Sequence, residues 1–146
     1  MDREPTKDTS AAGTRCSDAA PTDFTVVLGV VALPIGRVLQ TAPTGTDSVA
    51  RLFAKQGLVV RIGALVDLRI GDASVGHAGI GWGNPGTAGD HVRVEATNCH
   101  APSTSQWVAF AGGYYVDEPM CVPIVVESGG AREAVRVAVG SGCWST

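Results

Sequence analysis

Residues Trp107–Glu127 read WVAFAGGYYVDEPMCVPIVVE. Two apolar runs rich in aromatic and β-branched residues flank Asp117-Glu118-Pro119. Such runs are composed as strands, and the acidic step before a proline is composed as a bend. The stretch is expected to form two consecutive strands at the centre of a β domain. Val108, Phe110, Val122, Ile124 and Val126 would lie in its core, with Cys121 placed for a cross-link.

Downstream, Ser128-Gly129-Gly130 has the composition of a tight hairpin turn. Glu133–Val139 then returns with Val135, Val137 and Val139 on the inward face. Upstream, Val92–Thr97 alternates Val92, Val94 and Ala96 with Arg93, Glu95 and Thr97, the period-two pattern of a half-buried strand. Ala64–Ile70 repeats the pattern with Val66, Leu68 and Ile70 inward, and Leu58–Ile62 is a further short strand. Ala78–Trp82 is expected to turn Ile80 and Trp82 inward. Gly71–Gly76, Gly83–Gly89 and Asn98–Gln106 are loops by composition. Thr25–Leu33 is expected to be one buried strand with Gly29 as its weak point and Pro34 ending it, and Gly36–Gln40 to extend it past a kink. Asp47–Gln56 is the one helix expected: Thr46 or Asp47 can cap it, Val49, Leu52 and Phe53 share a face, and Gly57 follows.

About seven to nine short strands, frequent turns and no βαβ rhythm predict an all-β protein. The fold class that fits is an antiparallel, immunoglobulin-like β-sandwich with one short helix. At 146 residues, with 19 glycines and 8 prolines, one core is expected. Residues 1–23 hold only Met1 as a large apolar residue and are expected to be a disordered leader. Residues 24–143 would form the domain and 144–146 a tail.

The net charge is −3, and no lysine or arginine occurs between Arg93 and Arg132. A nucleic-acid partner is not expected, because no basic face is available to neutralise phosphates. The four cysteines are Cys16, Cys99, Cys121 and Cys143. They contain no C-x-x-C pair, which argues against zinc-ribbon or thioredoxin-type chemistry. A disulfide among Cys99, Cys121 and Cys143 is expected, implying an oxidising compartment; buried free thiols in the cytoplasm are the alternative. The spacing does not choose a pairing, but Cys99–Cys121 would staple the ends of one hairpin region and is preferred. Cys16, in the leader, is expected to be unpaired.

Phe24–Ile35 is apolar over about twelve residues, short of the roughly twenty of a membrane helix. The residues before it carry five acids against three bases, unlike a signal-peptide flank. A strand is the expected reading, and a remnant membrane anchor the alternative.

Several patterns invite chemistry. Gly81-Trp-Gly-Asn-Pro-Gly86 matches G-x-G-x-x-G, but no helix pattern opens from it to meet a pyrophosphate, so it reads as turn glycines. Cys99-His100 with His77, His91, Cys121 and Cys143 does not have metal-ligand spacing, and no metal or other cofactor is expected. Asp117 and Glu118 are the nearest approach to a carboxylate pair. Adjacent strand residues point to opposite faces, and a solvated turn is the simpler reading. No nucleophile elbow, phosphate-binding loop or H-E-x-x-H is present, so an enzyme is not expected. The candidate ligand surface is Trp107, Tyr114, Tyr115, Asp117 and Glu118: strand glycines at 112 and 113 could leave a shallow floor for a sugar between aromatics. Core packing competes with that reading, with one tyrosine buried and the other exposed.

RLFAKQGLVVRIGALVDLRI (Arg51–Ile70), IGWGNPG (Ile80–Gly86), WVAFAGGYYVDEPMCVPIVV (Trp107–Val126) and VAVGSGC (Val137–Cys143) together resemble a domain found in uncharacterised proteins of high-GC Gram-positive bacteria. The resemblance implies a secreted or membrane-tethered protein with this domain outside, and carries no catalytic or binding residues with it. The expected function is therefore a non-enzymatic, extracytoplasmic or membrane-associated module, with a cytoplasmic location as the alternative. Its expected partner is a cell-envelope glycan, or a membrane or envelope protein.

Overall fold

A computed structural model describes residues 15–17, 19–46, 50–83, 89–96 and 106–143. Among them the chain is all-β, with fourteen strands in three sheets and one 3-10 turn at Asp72–Ser74. In chain order the first seven strands are β1 (Arg15–Ser17), β2 (Thr25–Val27), β3 (Val31–Leu33), β4 (Val38–Leu39), β5 (Ala42–Pro43), β6 (Leu52–Lys55) and β7 (Leu58–Arg61). The other seven are β8 (Leu65–Ile70), β9 (Ala78–Trp82), β10 (His91–Glu95), β11 (Trp107–Phe110), β12 (Gly112–Val116), β13 (Met120–Ser128) and β14 (Ala131–Val139).

The first sheet has the order β1-β11-β7-β3-β2, the second β10-β8-β13-β14-β4, and the third β5-β6-β12-β9. The named strands pair antiparallel except β14 with β4, which is parallel. Trp107–Glu127 makes three strands, where two were expected, and each joins a different sheet. β11 lies between β1 and β7, β12 between β6 and β9, and β13 between β8 and β14. Each sheet thus takes an interior strand from this one stretch. The additional break is at Ala111-Gly112, where Gly112 adopts φ 152°, a conformation that L side chains rarely hold.

Tertiary pairing overturns three other expectations. Thr25–Leu33 is a hairpin of β2 and β3 rather than one strand. Its loop, residues 28–30, places Leu28 at φ 56° and Gly29 at φ 71°, and the Val30 N–H donates to the Val27 carbonyl. Two positive φ values suit the right-handed twist of a hairpin, but leucine is an unusual occupant of the first. Val27, Val31, Ala32 and Leu33 are buried, so this run is part of the sheet and is not a membrane-spanning helix. Leu52–Lys55, expected as helix, is strand β6. It is held by Ala42–Pro43 on one side and by Leu52↔Val116 to Lys55↔Gly113 pairing on the other. Ladder pairing on both edges overrides a weak local helix preference; residues 47–49 lie outside the described residues. Lastly, Arg15–Ser17, within the expected leader, pairs with β11 as an edge strand.

One apolar core joins the inward rows of all three sheets. It includes Leu58, Val60, Val108 and Phe110 from the first, Val66, Leu68, Ile124 and Val137 from the second, and Ile80, Trp82 and Tyr114 from the third. Each such aliphatic or aromatic side chain contributes about 1.5–3 kcal/mol on burial. The first sheet is apolar on its other face too. There Ala32, Val59 and Trp107 cluster, with Ala20 and Phe24 packed over them. Ala20, also expected as leader, is thus packed against the domain.

Candidate functional site

The aromatic residues expected to form a platform do not share a surface. Trp107 belongs to the first sheet and is 5% exposed, while Tyr114 belongs to the third and is 1% exposed. The Arg61 guanidinium lies 4.6 Å from the Trp107 ring centroid, anchored by its Nε–H donating to the Gly29 carbonyl at 2.8 Å. Tyr114 meets Trp82 edge to face with centroids 5.1 Å apart. Its buried hydroxyl has no partner among the described residues, and burial pushes its pKa well above the ordinary phenol value. Tyr115, on the opposite side of the strand and half-buried, packs on Phe53 at 4.7 Å.

The glycine floor between them is already filled. A Cβ on Gly112 would lie 1.9 Å from the Gly81 carbonyl oxygen and 2.7 Å from Trp82 Cδ1. One on Gly113 would lie 2.1 Å from the Ala54 carbonyl oxygen and 2.8 Å from the Phe53 ring. Neighbouring strands and rings press onto these positions, which leaves no trough for a sugar.

Asp117 and Glu118 sit in the bend between β12 and β13. Glu118 is exposed. Asp117 Oδ2 is 2.8 Å from His77 Nδ1, and the Asp117 N–H donates to the His77 carbonyl at 3.0 Å. This double link ties the bend to the corner after the 3-10 turn. The two acids therefore do different things and do not converge. His91 Nε2 lies 3.1 Å from Asp67 Oδ1 across β10 and β8, so the two described histidines bond to different aspartates. Gly81–Gly83 closes strand β9 and the loop after it; residues 84–88 lie outside the described residues, as does His100.

The cysteine pairing also differs from expectation. Cys121 is bonded to Cys143 with Cα atoms 4.9 Å apart, so Cys99–Cys121 does not form. Cys16 is disulfide-bonded rather than unpaired; Cys99 lies outside the described residues. Gly140, at φ 81°, turns the chain after β14 so closely past Pro119 that a Cβ there would come within 2.9 Å of the Pro119 ring. That turn returns Cys143 to Cys121.

A groove of about 430 Å³ lies elsewhere, between the first and second sheets. One wall is β2, the edge strand of the first sheet, with Val26 45% exposed. The other wall is β14, and Ile35 with Gly36 runs between them. Val26, Val27, Ile35 and Val135 make the lining mostly aliphatic, while Glu133 and Arg136 supply its charges. Glu133 pairs in register with Val126, Val135 with Ile124 and Val137 with Val122. Glu133 therefore occupies the inward row, where an apolar residue would stand if the sheet were covered there. It is exposed, and among the described residues neither it nor Arg136 makes an ion pair. A carboxylate needs water or a cation at such a position, which marks this end of the row as open. That break in the alternation of AREAVRVAV was the available sequence signal for the groove. Compared with protein-family models, with curated proteins and with solved structures, the chain matches none.

Proposed function

We propose that this chain is a non-enzymatic, extracytoplasmic binding module with an immunoglobulin-like sandwich arrangement, and that the groove between β2 and β14 receives its ligand. The carrying observation is that β2, the edge strand of the first sheet, and the part of β14 beyond its pairing with β4 wall one aliphatic groove. Edge strands offer unpaired N–H and C=O groups, and an extended polypeptide is the ligand that can match them in series. A segment of another cell-envelope protein fits this chemistry better than a glycan, for which the aromatic residues at 107 and 114 are buried. A core shared by facing sheets supports the sandwich reading. Disulfide bonding at Cys16, Cys121 and Cys143 supports an oxidising compartment.

Two measurements test this reading. Protein from its native host, unfolded without reductant, is expected to give no reactive thiol and to fractionate outside the cytoplasm; four free thiols would overturn the location. A displayed random-peptide library panned on the wild-type protein is expected to enrich sequences whose binding Val26→Arg abolishes. Enrichment indifferent to Val26→Arg, or none at all, would overturn the groove as ligand surface.

A further inference from the structure

The bare edge of β14 specifies more than an apolar ligand. β13 covers one edge of β14 from Ala131 to Val139, whereas on the other edge β4 covers only Ala138 and Val139. The chain's own β4 thus shows that this edge takes a strand, and among the described residues no strand pairs with the stretch before it. Resting on the groove being the ligand surface, we propose that its occupant is an extended peptide added as a strand along Arg132–Val137, with a basic side chain against Glu133 and an acidic one against Arg136.

The side-chain rows define the pattern. Glu133, Val135 and Val137 share the inward face, while Arg132, Ala134 and Arg136 share the outward one. Arg132 is already engaged, its Nε 3.0 Å from Glu127 Oε2 on β13. Directly opposed residues on paired strands lie on the same face, and opposite charges there attract. An antiparallel ligand, the more stable pairing, would read from its N-terminus acidic opposite Arg136, aliphatic opposite Val135, small or polar opposite Ala134, and basic opposite Glu133. Its aliphatic residue would enter the groove toward Val26 and Ile35.

The same charges disfavour a second copy of this chain. A two-fold pairing centred on Glu133 sets Glu133 against itself, and one centred on Ala134 sets Arg132 against Arg136. Like charges directly opposed are destabilising, and inward-pointing charge is a known guard against edge-to-edge association. Registers shifted further along run into β4.

The test is a titration of the isotope-labelled, full-length protein with two capped peptides, Val-Glu-Ile-Thr-Lys-Thr and its charge-swapped form Val-Lys-Ile-Thr-Glu-Thr, followed by amide NMR. The first is expected to shift the amides of Thr25–Val27 and Arg132–Arg136 and to bind about tenfold more tightly than the swapped form, two opposed charge pairs being reversed between them. In the double variant Glu133→Lys/Arg136→Glu the preference is expected to invert. Both residues are exposed, and the dispersion of the spectrum checks that the variant folds. Equal binding of the two peptides, or an uninverted preference in the variant, would overturn the charge pattern. Groove amides that still shift would then leave the broader reading standing. No groove shift with either peptide, nor with a pool of random hexapeptides, would overturn both. Concentration-dependent shifts at Arg132–Arg136 without peptide would overturn the peptide in favour of a second copy.

Discussion

Strand β12 and the first half of β14 are of similar length, and both alternate two faces, yet they end in opposite situations. β12 has a paired strand on each edge, and its glycines are pressed by the carbonyls of Ala54 and Gly81. Among the described residues the stretch from Ala131 to Arg136 has a partner strand on one edge only, and its inward row carries the carboxylate of Glu133. The aromatic-rich strand is therefore core, and the plainer one faces the groove. In this molecule the candidate groove follows from incomplete strand pairing rather than from aromatic content.

The contrast is broken most severely from the β12 side. Gly113→Ala is expected to cost about 4 kcal/mol in urea unfolding, since its methyl would displace a paired strand rather than fill space. A loss under about 1 kcal/mol would mean that β12 is not pinned as described. Next in size, Cys143→Ser removes a cross-link between residues 22 apart, worth about 3 kcal/mol by chain entropy. An unchanged urea midpoint against the oxidised wild type would contradict that.

Tyr114→Phe sharpens the comparison in the other direction. Removing a buried hydroxyl without a partner is expected to stabilise the fold by about 1 kcal/mol. The phenol is raised in the folded state, so folding holds its proton more tightly than the unfolded chain does. Its contribution is intact below the ordinary phenol value, near pH 10, and is lost as pH rises above it. Alkaline unfolding curves should diverge there, with Tyr114→Phe retaining more stability; parallel curves would refute the assignment. The smallest change in stability, within about 0.5 kcal/mol, is expected for Glu133→Val on the exposed edge. Its effect is on association. Sedimentation velocity should show stronger concentration-dependent self-association than wild type, because an inward guard charge has been replaced by a sticky residue.

Much of the strand pattern was legible in the residues. β8, β9 and β10 follow alternations at Leu65–Ile70, Ala78–Trp82 and His91–Glu95, and the Ser128–Ala131 turn has Gly129 and Gly130 at the positive φ it requires. Val108, Phe110, Val122, Ile124 and Val126 are all buried. The departures share one cause: each depends on what lies across from a residue, not beside it. Leu52 and Phe53 sit three and four residues after Val49 and mimic a helical face, until β5 and β12 pair with them from both sides. Leu28 carries no turn preference, but the pairing of Thr25–Val27 with Val31–Leu33 forces it to positive φ. For the site, the sequence offered aromatics and an acidic pair, the features of a conspicuous surface. The inconspicuous Glu133 was passed over because its oddity appears only once its row is identified.

The sequence by itself determined an all-β chain, the alternation of its faces, the identity of its core and the central place of Trp107–Glu127, because period-two burial is a local property of a strand. Only the tertiary structure decided that this stretch supplies an interior strand to each of three sheets, and that Cys121 joins Cys143. Cys99 and Cys143 stand equally far along the chain from Cys121, so loop entropy could not separate the two pairings. The fold alone left most of one edge of β14 without a paired strand among the described residues, since which edges stay bare is set by strand order, a long-range property that no local pattern encodes.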